Sequence, residues 1–241
     1  MTAALEYARI FKRFGGTTAL TGASFGCPPA SVTALIGPNG AGKSTLFLAA
    51  AGLLEPDFGS VRVLGHPAGS AQAQSAVSLM PEQPDLYPGV SVWEHVVFIA
   101  LLHRLSDWES HAEQLLERFG LAERRDELPH QLSQGLRRRL ALVMALLRGA
   151  DVLLLDEPFN GLDPRSAHEL RSLVRELADA GASVLVATHI LSDVERLADW
   201  VVVLDHGATR AAGTPDQLRL QAGVGPGEDL EAAYLALTEA A

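Results

Sequence analysis

Gly37-Pro38-Asn39-Gly40-Ala41-Gly42-Lys43-Ser44-Thr45 is the stretch on which the reading of this chain turns. It fits the spacing G-x-x-x-x-G-K-[ST], in which glycines let the backbone take positive φ and aim successive N–H groups at phosphate oxygens. Lys43 adds a point charge for the β- and γ-phosphates, and Ser44 offers a hydroxyl to Mg²⁺. The flanks suit this reading. Ser31 to Ile36 is a short apolar run of the kind expected of a buried strand. Thr45 to Ala51 reads as a helix whose positive end faces the loop, with Gly52 placed to stop it. A glycine turn with no ligand is the plainer alternative, but strand and helix on the correct sides favour a nucleotide site.

At 241 residues the chain is expected to form one domain with a sizeable core. Its 19 Lys and Arg against 29 Asp and Glu give a net charge of −10, which argues against broad nucleic-acid binding, since that relies on neutralising phosphates. The single cysteine, Cys27, precludes an internal disulfide and reads as a small buried apolar residue. The first six residues carry neither a basic nor an apolar signal region, so no secretory signal is expected. The longest apolar runs, Val96 to Leu102 and Ala141 to Leu147, fall short of a membrane span. Any role at a membrane is therefore expected to come through a partner.

Upstream of the glycine loop, Leu5 to Phe14 and Ala23 to Cys27 read as strands, with a turn at Gly15-Gly16. Phe14 is either a ring that stacks on a nucleotide base or an ordinary core or edge-strand residue. Gly59 to Leu64 is a further strand candidate. Leu79 to Pro88 forms a proline-studded loop with Glu82 and Gln83 near its start. Beyond it the period turns helical: Val92, Val96, Ile99 and Ala100 share one face. Ser106 and Glu109 are spaced as a capping box opening a second helix, with Trp108, Ala112, Leu115, Leu116 and Phe119 on its apolar face and Gly120 ending it. His95, His103 and His111 recur at even spacing, but not at the i, i+3 or i, i+4 separation of helical metal ligands, and read as surface or boundary residues.

Leu132-Ser133-Gln134-Gly135-Leu136 precedes an amphipathic helix from Arg137 to Leu147, with Ser133 at the N-cap and a helix dipole suited to a phosphate. Arg137-Arg138-Arg139 reads as a solvated face of that helix. Val152 to Glu157 is an apolar strand ending in two carboxylates: Asp156, which belongs beside Mg²⁺, and Glu157, which can orient or deprotonate an attacking water. Asn160 to Pro164 forms a turn, and Pro164 opens a helix with Leu170, Leu173, Val174 and Leu177 inward and Gly181 closing it. Ser183 to Ala187 is the next buried strand, delivering Thr188-His189 to the edge that holds Asp156-Glu157. Val201 to Leu204 is another strand, Gly223 to Gly227 a linker, and Leu230 to Leu237 a terminal helix.

In this order the motifs resemble the ATP-binding subunit of ABC transporters over nearly the whole length. Gly37 to Thr45 is similar to Walker A, Leu132 to Leu136 to the signature, Val152 to Glu157 to Walker B, Gly161-Leu162-Asp163 to the D-loop, and His189 to the switch histidine. Two departures stand out. The family's Leu-Ser-Gly-Gly-Gln signature has Gln134 and Leu136 where the first Gly and the Gln would be, though Ser133 and Gly135 are kept. The Q-loop's Pro-Gln becomes Pro81-Glu82 with Gln83 one place on, so both are candidates for its residue. Pro81-Glu82, Leu86-Tyr87-Pro88, Val90 to Glu94 and Leu230 to Leu237 resemble the branch that exports drugs, ions or polymer and lipid substrates.

The resemblance implies an α/β P-loop NTPase with a RecA-like core, an inserted helical subdomain and a small antiparallel β part. About residues 1–87 and 146–218 would form the core, 88–145 the helical subdomain and 219–241 a tail. It implies ATP and Mg²⁺, a separate transmembrane permease subunit, a second ATP-binding subunit (this chain or a related one), and a place at the cytoplasmic face of the membrane. Two subunits would enclose two ATP molecules. In each site Lys43 and the loop amides would hold phosphates, Ser44 and Asp156 the Mg²⁺, with Glu82 or Gln83 nearby. Glu157 would polarise water, His189 would brace it and the γ-phosphate, and Ser133 and Gly135 would come from the other subunit. The alternatives are a soluble ABC-type ATPase on nucleic acid or ribosomes, a small-molecule kinase, and a regulatory module that binds ATP without hydrolysis. The interval between Lys43 and Asp156 has no room for the coiled coil or second ATPase of the first. A kinase lacks Ser133, Gly135 and His189, and the intact Glu157 and His189 argue against the third.

Overall fold

Short, wholly buried apolar runs set the frame of this protein, which a computed structural model describes over residues 3–225 and 228–239. The strands are β1 (Leu5–Phe14), β2 (Thr17–Cys27), β3 (Val32–Ile36), β4 (Phe58–Val63), β5 (His66–Pro67), β6 (Val77–Met80), β7 (Val152–Asp156), β8 (Ser183–Thr188), β9 (Trp200–Asp205) and β10 (Ala208–Gly213). The helices are α1 (Lys43–Ala50), α2 (Ala71–Ala76), α3 (Val92–Leu102), α4 (Glu109–Arg118), α5 (Gln134–Leu147), α6 (Pro164–Asp179), α7 (Leu191–Leu197), α8 (Pro215–Ala222) and α9 (Leu230–Glu239).

One sheet runs β10-β9-β3-β8-β7-β6, parallel except for β10. A smaller antiparallel sheet runs β2-β1-β4-β5. Because strand side chains alternate, each central strand feeds two cores. Leu154, Leu185 and Val202 face the cluster shared with α1 and the antiparallel sheet. Leu153, Leu155, Val184 and Val186 face the helical side, where α3, α4 and α5 insert between β6 and β7 and bury Val96, Leu116, Leu140 and Val143. Burial on both faces is what a parallel sheet requires, and it explains the unbroken apolar runs.

Several local expectations give way. No capping box forms at Ser106 and Glu109: Asp107 adopts φ 52 and Trp108 occupies the N-cap of α4 with no side-chain cap. Trp108 is held by packing against Trp93, ring centroids 5.5 Å apart, and this contact sets the entry to the helix. Capping boxes form instead at Ser91 and Glu94 and at Thr214 and Gln217. The second strand starts at Thr17, because a tight turn at Gly15-Gly16 pairs Phe14 with Thr17. His95 is neither surface nor boundary: it is fully buried, its Nε2 accepting from the Tyr87 N–H at 3.0 Å and its Nδ1 lying 2.8 Å from the Ser91 carbonyl. Both ring nitrogens are thereby engaged. Cys27 is buried as read, and burial pushes its thiol up to about 12. Elements β10, α2, α7 and α8 were not legible as separate periodic runs. Gly223 turns the end of α8 at φ 71, whereas Pro226 and Gly227 of the expected linker lie outside the described residues.

The arginine run is not a solvated face either. Arg138 is only 9% exposed and donates to the Asn160 carbonyl, while Arg139 donates to Asp163 Oδ2 at 2.9 Å and to Ser166 Oγ at 2.7 Å. Helical spacing turns these two side chains towards the neighbouring turn and α6, which sequence alone does not place. Asp163 caps α6, accepting from the Ser166 N–H at 3.0 Å. Its hydrogen bonds with Ser166 hold its carboxyl down at about 2. The contribution of this cap is therefore expected to be fully present above the ordinary carboxylate range and to fade as pH falls through about 2. Acid titration of Asp163→Ala against the parent checks this: their stabilities should converge only at the acid end.

Candidate active site

Parallel register brings the sequence motifs to one edge. Ile36, the last residue of β3, pairs with Thr188, and Asp156, the last of β7, pairs with Ala187. The residues that follow (Gly37, Glu157 and His189) therefore emerge side by side at the carboxyl ends of adjacent strands, where open α/β sheets bind ligands. Gly37 has no room for a side chain, since a Cβ would strike the Leu204 carbonyl oxygen. At Gly42, φ is 104 and a Cβ would lie 2.6 Å from Leu20 Cδ2 and 2.8 Å from the Ala19 oxygen. This left-handed N-cap makes α1 start at Lys43, two residues earlier than the sequence reading, with no side chain capping its first N–H groups. Donors left uncapped at a helix N-terminus suit an anion.

The loop rims a cleft of about 380 Å³ walled by Pro38 to Gly40, Gly42 to Thr45, Asp156 and Glu157, with Phe14, Ala19 and Glu82 completing it. Lys43 is buried, and its Nζ donates to the Gly37 carbonyl at 2.7 Å and lies 3.7 Å from Glu157 Oε1. Glu157 Oε2 is 3.0 Å from His189 Nδ1. A carboxylate only accepts, so this ring nitrogen carries the proton, leaving Nε2 for a second partner. Glu157 itself holds a left-handed φ of 49 and donates its backbone N–H to the Ala187 carbonyl at 2.9 Å. Positive φ in a non-glycine residue is strained and found chiefly where position matters.

Burial raises the Asp156 carboxyl above its ordinary value; the Ser44 hydroxyl opposes this, the carboxylates of Glu157 and Glu82 add to it, and the Lys43 ammonium opposes it. Among the described residues no three carboxylate or imidazole groups are placed to hold a metal by themselves, so the oxygens on offer are the Asp156 carboxylate and the Ser44 hydroxyl, with further negative charge nearby. Mg²⁺ fits such a set, and it characteristically completes its shell with substrate phosphates and waters. Glu82 lines the cleft and Gln83 does not. Phe14 is 48% exposed at the cleft end of β1, with the Lys12 ammonium 5.7 Å from its ring centroid. Ser133 and Gly135 are not among the cleft's walls. Ser133 caps α5, accepting from the Leu136 N–H at 3.3 Å, and a Cβ on Gly135 would lie 3.4 Å from the Gly161 oxygen. The chain's own phosphate loop and its own signature residues thus occupy different places.

Residues 20–160, more than half of the chain, match the ABC transporter family. The chain belongs to that family. This ABC ATP-binding subunit is 37% identical over 227 residues to the daunorubicin/doxorubicin resistance ATP-binding protein DrrA of Streptomyces peucetius, covering 92% of this chain and 68% of that one. It is 35% identical to the Nod factor export ATP-binding protein I of Burkholderia lata, over 90% of this chain and 72% of the relative. A solved ATP-binding subunit of an ABC transporter superposes with a TM-score of 0.92 at 33% identity, covering 98% of this chain and 100% of the other. The ABC subunit is a P-loop ATPase whose hydrolysis powers transport. Among its described residues no helix is long and apolar enough to cross a membrane.

What the sequence reading missed at this site is the tie from Arg138 to the turn behind Glu157. Its acceptor is a main-chain carbonyl, which leaves no trace in residue type. The run Arg137-Arg138-Arg139 on an otherwise apolar helix was the available signal.

Proposed function

We propose that this subunit works in pairs at the cytoplasmic face of a membrane, coupling hydrolysis of Mg²⁺-ATP to export through a separate transmembrane subunit. The observation that carries this reading is the separation of two half-sites. Lys43, Asp156 and Glu157 wall one cleft, with His189 bonded to Glu157 though not itself among the walls, while Ser133 and Gly135 lie outside it at a helix N-terminus. A second subunit supplying its own Ser133 and Gly135 would close the cleft over the γ-phosphate, and the positive end of its α5 would meet negative charge. Export is supported by relatives named for drug resistance and for Nod factor export.

Within the cleft, N–H groups of the glycine loop and first turn of α1 between Gly37 and Thr45, apart from that of Ala41, which donates to the Pro38 carbonyl at 3.1 Å, would bind the β- and γ-phosphates, with Lys43 neutralising them. Phe14 would stack on the base. Ser44 and Asp156, with Glu82 beside them, would hold Mg²⁺, which supplies charge neutralisation at the phosphates. Glu157 would accept a proton from, and so orient, the attacking water. His189 would fix the Glu157 carboxylate through Nδ1 and brace the γ-phosphate side of the site. Transport would follow when closing and reopening of the pair moves the helical block against a transmembrane partner.

Purifying the tagged chain from solubilised membranes tests this reading. A multispan protein is expected in stoichiometric amount, with ATPase activity that depends on Mg²⁺. Recovery of the chain alone, with full activity and no membrane protein, would refute it. The position of the Q-loop residue can be examined separately. Since Glu82 lines the cleft and Gln83 does not, Glu82→Ala is expected to raise the Mg²⁺ needed for half-maximal ATPase, because a hard cation prefers charged oxygen. Gln83→Ala should leave that requirement unchanged. A silent Glu82→Ala beside a damaged Gln83→Ala would assign the role to Gln83.

A further inference from the structure

We infer that Arg138 is a positioning residue that ties the setting of Glu157 to the signature helix α5, so that hydrolysis at one site depends on what α5 binds at the other. The inference rests on the paired-site reading above. Arg138 lies inside α5, one turn after the signature residues, and is only 9% exposed. Its Nη1 donates to the Asn160 carbonyl, and no carboxylate forms an ion pair with it among the described residues. A guanidinium buried without a counter-charge is costly, and an apolar side chain of similar volume would pack the same space more favourably. Packing alone therefore does not account for it.

What it holds does. Asn160 donates its own N–H to the Glu157 carbonyl at 3.2 Å, closing the turn that follows the strained Glu157. The next residue, Gly161, passes against Arg138 Nη1 on one side and Gly135 on the other, since its added Cβ would sit 3.5 Å from Nη1 and its oxygen 3.4 Å from a Cβ at Gly135. Arg139 fastens the far end of the same segment through Asp163 and Ser166. One helix thus grips the segment that follows Glu157 at two points, Asn160 and the Asp163–Ser166 start of α6. A shift of α5, driven by a phosphate at its N-terminus, reaches the Glu157 backbone through two consecutive hydrogen bonds. Arg139 anchors the segment to the start of α6, whereas Arg138 acts on Asn160, the residue whose N–H bonds the Glu157 carbonyl.

The test compares wild type, Arg138→Met and Arg138→Lys by ATPase rate against ATP concentration, alongside equilibrium binding of a fluorescent ATP analogue. Wild type is expected to show a Hill coefficient above 1, as coupled sites require. Arg138→Met should bind the analogue within about two-fold of wild type but lose about ten-fold or more in kcat, the scale expected when a reacting group loses its placement. Its Hill coefficient should fall to about 1. Arg138→Lys, with a donor for one carbonyl, should recover part of both. If Arg138→Met does not fold, Arg138→Gln serves in its place with the same expectation, its shorter amide failing to reach Asn160. Wild-type kcat and Hill coefficient in the variant, or an equal fall in binding and rate, would overturn the positioning role alone. A Hill coefficient of 1 in wild type would overturn the coupling and the role with it, whereas the paired-site reading falls separately if no pair forms in Mg²⁺-ATP.

Discussion

Glu157→Gln is expected to keep ATP binding, to lower turnover by about 100-fold or more, and to accumulate a nucleotide-bound pair of subunits. The scale is that of removing a general base from a hydrolytic site. The physical case starts from exclusivity: of the carboxylates at the cleft, Asp156 lies beside Ser44 and is assigned to Mg²⁺, and Glu82 enters from a loop on the other side. Only Glu157 is bonded to His189, at 3.0 Å, and paired with Lys43, at 3.7 Å. The amide of Gln preserves shape and can still bond His189, but it cannot take a proton. It would also remove a negative charge expected to face the γ-phosphate, so a closed pair should last longer. Steady-state ATPase with size-exclusion chromatography in Mg²⁺-ATP measures both effects. Near-normal turnover, or loss of nucleotide binding, would remove Glu157 from this role.

Complementation between two dead variants is the second large effect expected. Lys43→Ala strips the phosphate charge from one subunit's cleft, and Ser133→Arg places a bulky cation at the N-terminus of α5, where a phosphate is expected. Each variant alone should lose about 100-fold or more in ATPase, since each pair of identical variants has two incomplete sites. In a mixed pair the cleft of the Ser133→Arg chain meets the intact Ser133 of the Lys43→Ala chain, and one complete site results. Random pairing makes half the pairs mixed, each with one complete site of two, so activity should rise above either parent to at most about a quarter of wild type, and less where hydrolysis at that site also needs a phosphate at the other. The geometry behind this is the absence of Ser133 and Gly135 from the walls of the chain's own cleft. Mixed pairs demonstrated by differential tagging, with no activity above either parent, would show that the site is not shared.

The sequence by itself determined the nucleotide chemistry and the class of fold. Gly37 to Thr45 needed no tertiary information because a phosphate loop is local: consecutive backbone N–H groups and one lysine do the binding, and both are written in residue type and spacing. The same holds for the buried strands Val152 to Asp156 and Ser183 to Thr188, whose unbroken apolar runs reflect a sheet covered on both faces. Where geometry depends on what packs against what, the sequence was silent or misleading. Ser106 and Glu109 have the spacing of a capping box, yet the burial of Trp108 against Trp93 decides how α4 begins. Glu82 and Gln83 are adjacent and chemically plausible alike; only the path of the loop brings one of them to the cleft. Three arginines in a row look like a solvated face until α5 is seen to lie against the turn after Glu157, where Arg138 meets a carbonyl that any residue could have offered. Local chemistry is legible because it is carried by side-chain type at fixed spacing. The placement of His189 on Glu157 and of Arg138 on Asn160 is not, because it is settled by strand order and helix packing between segments far apart in the chain.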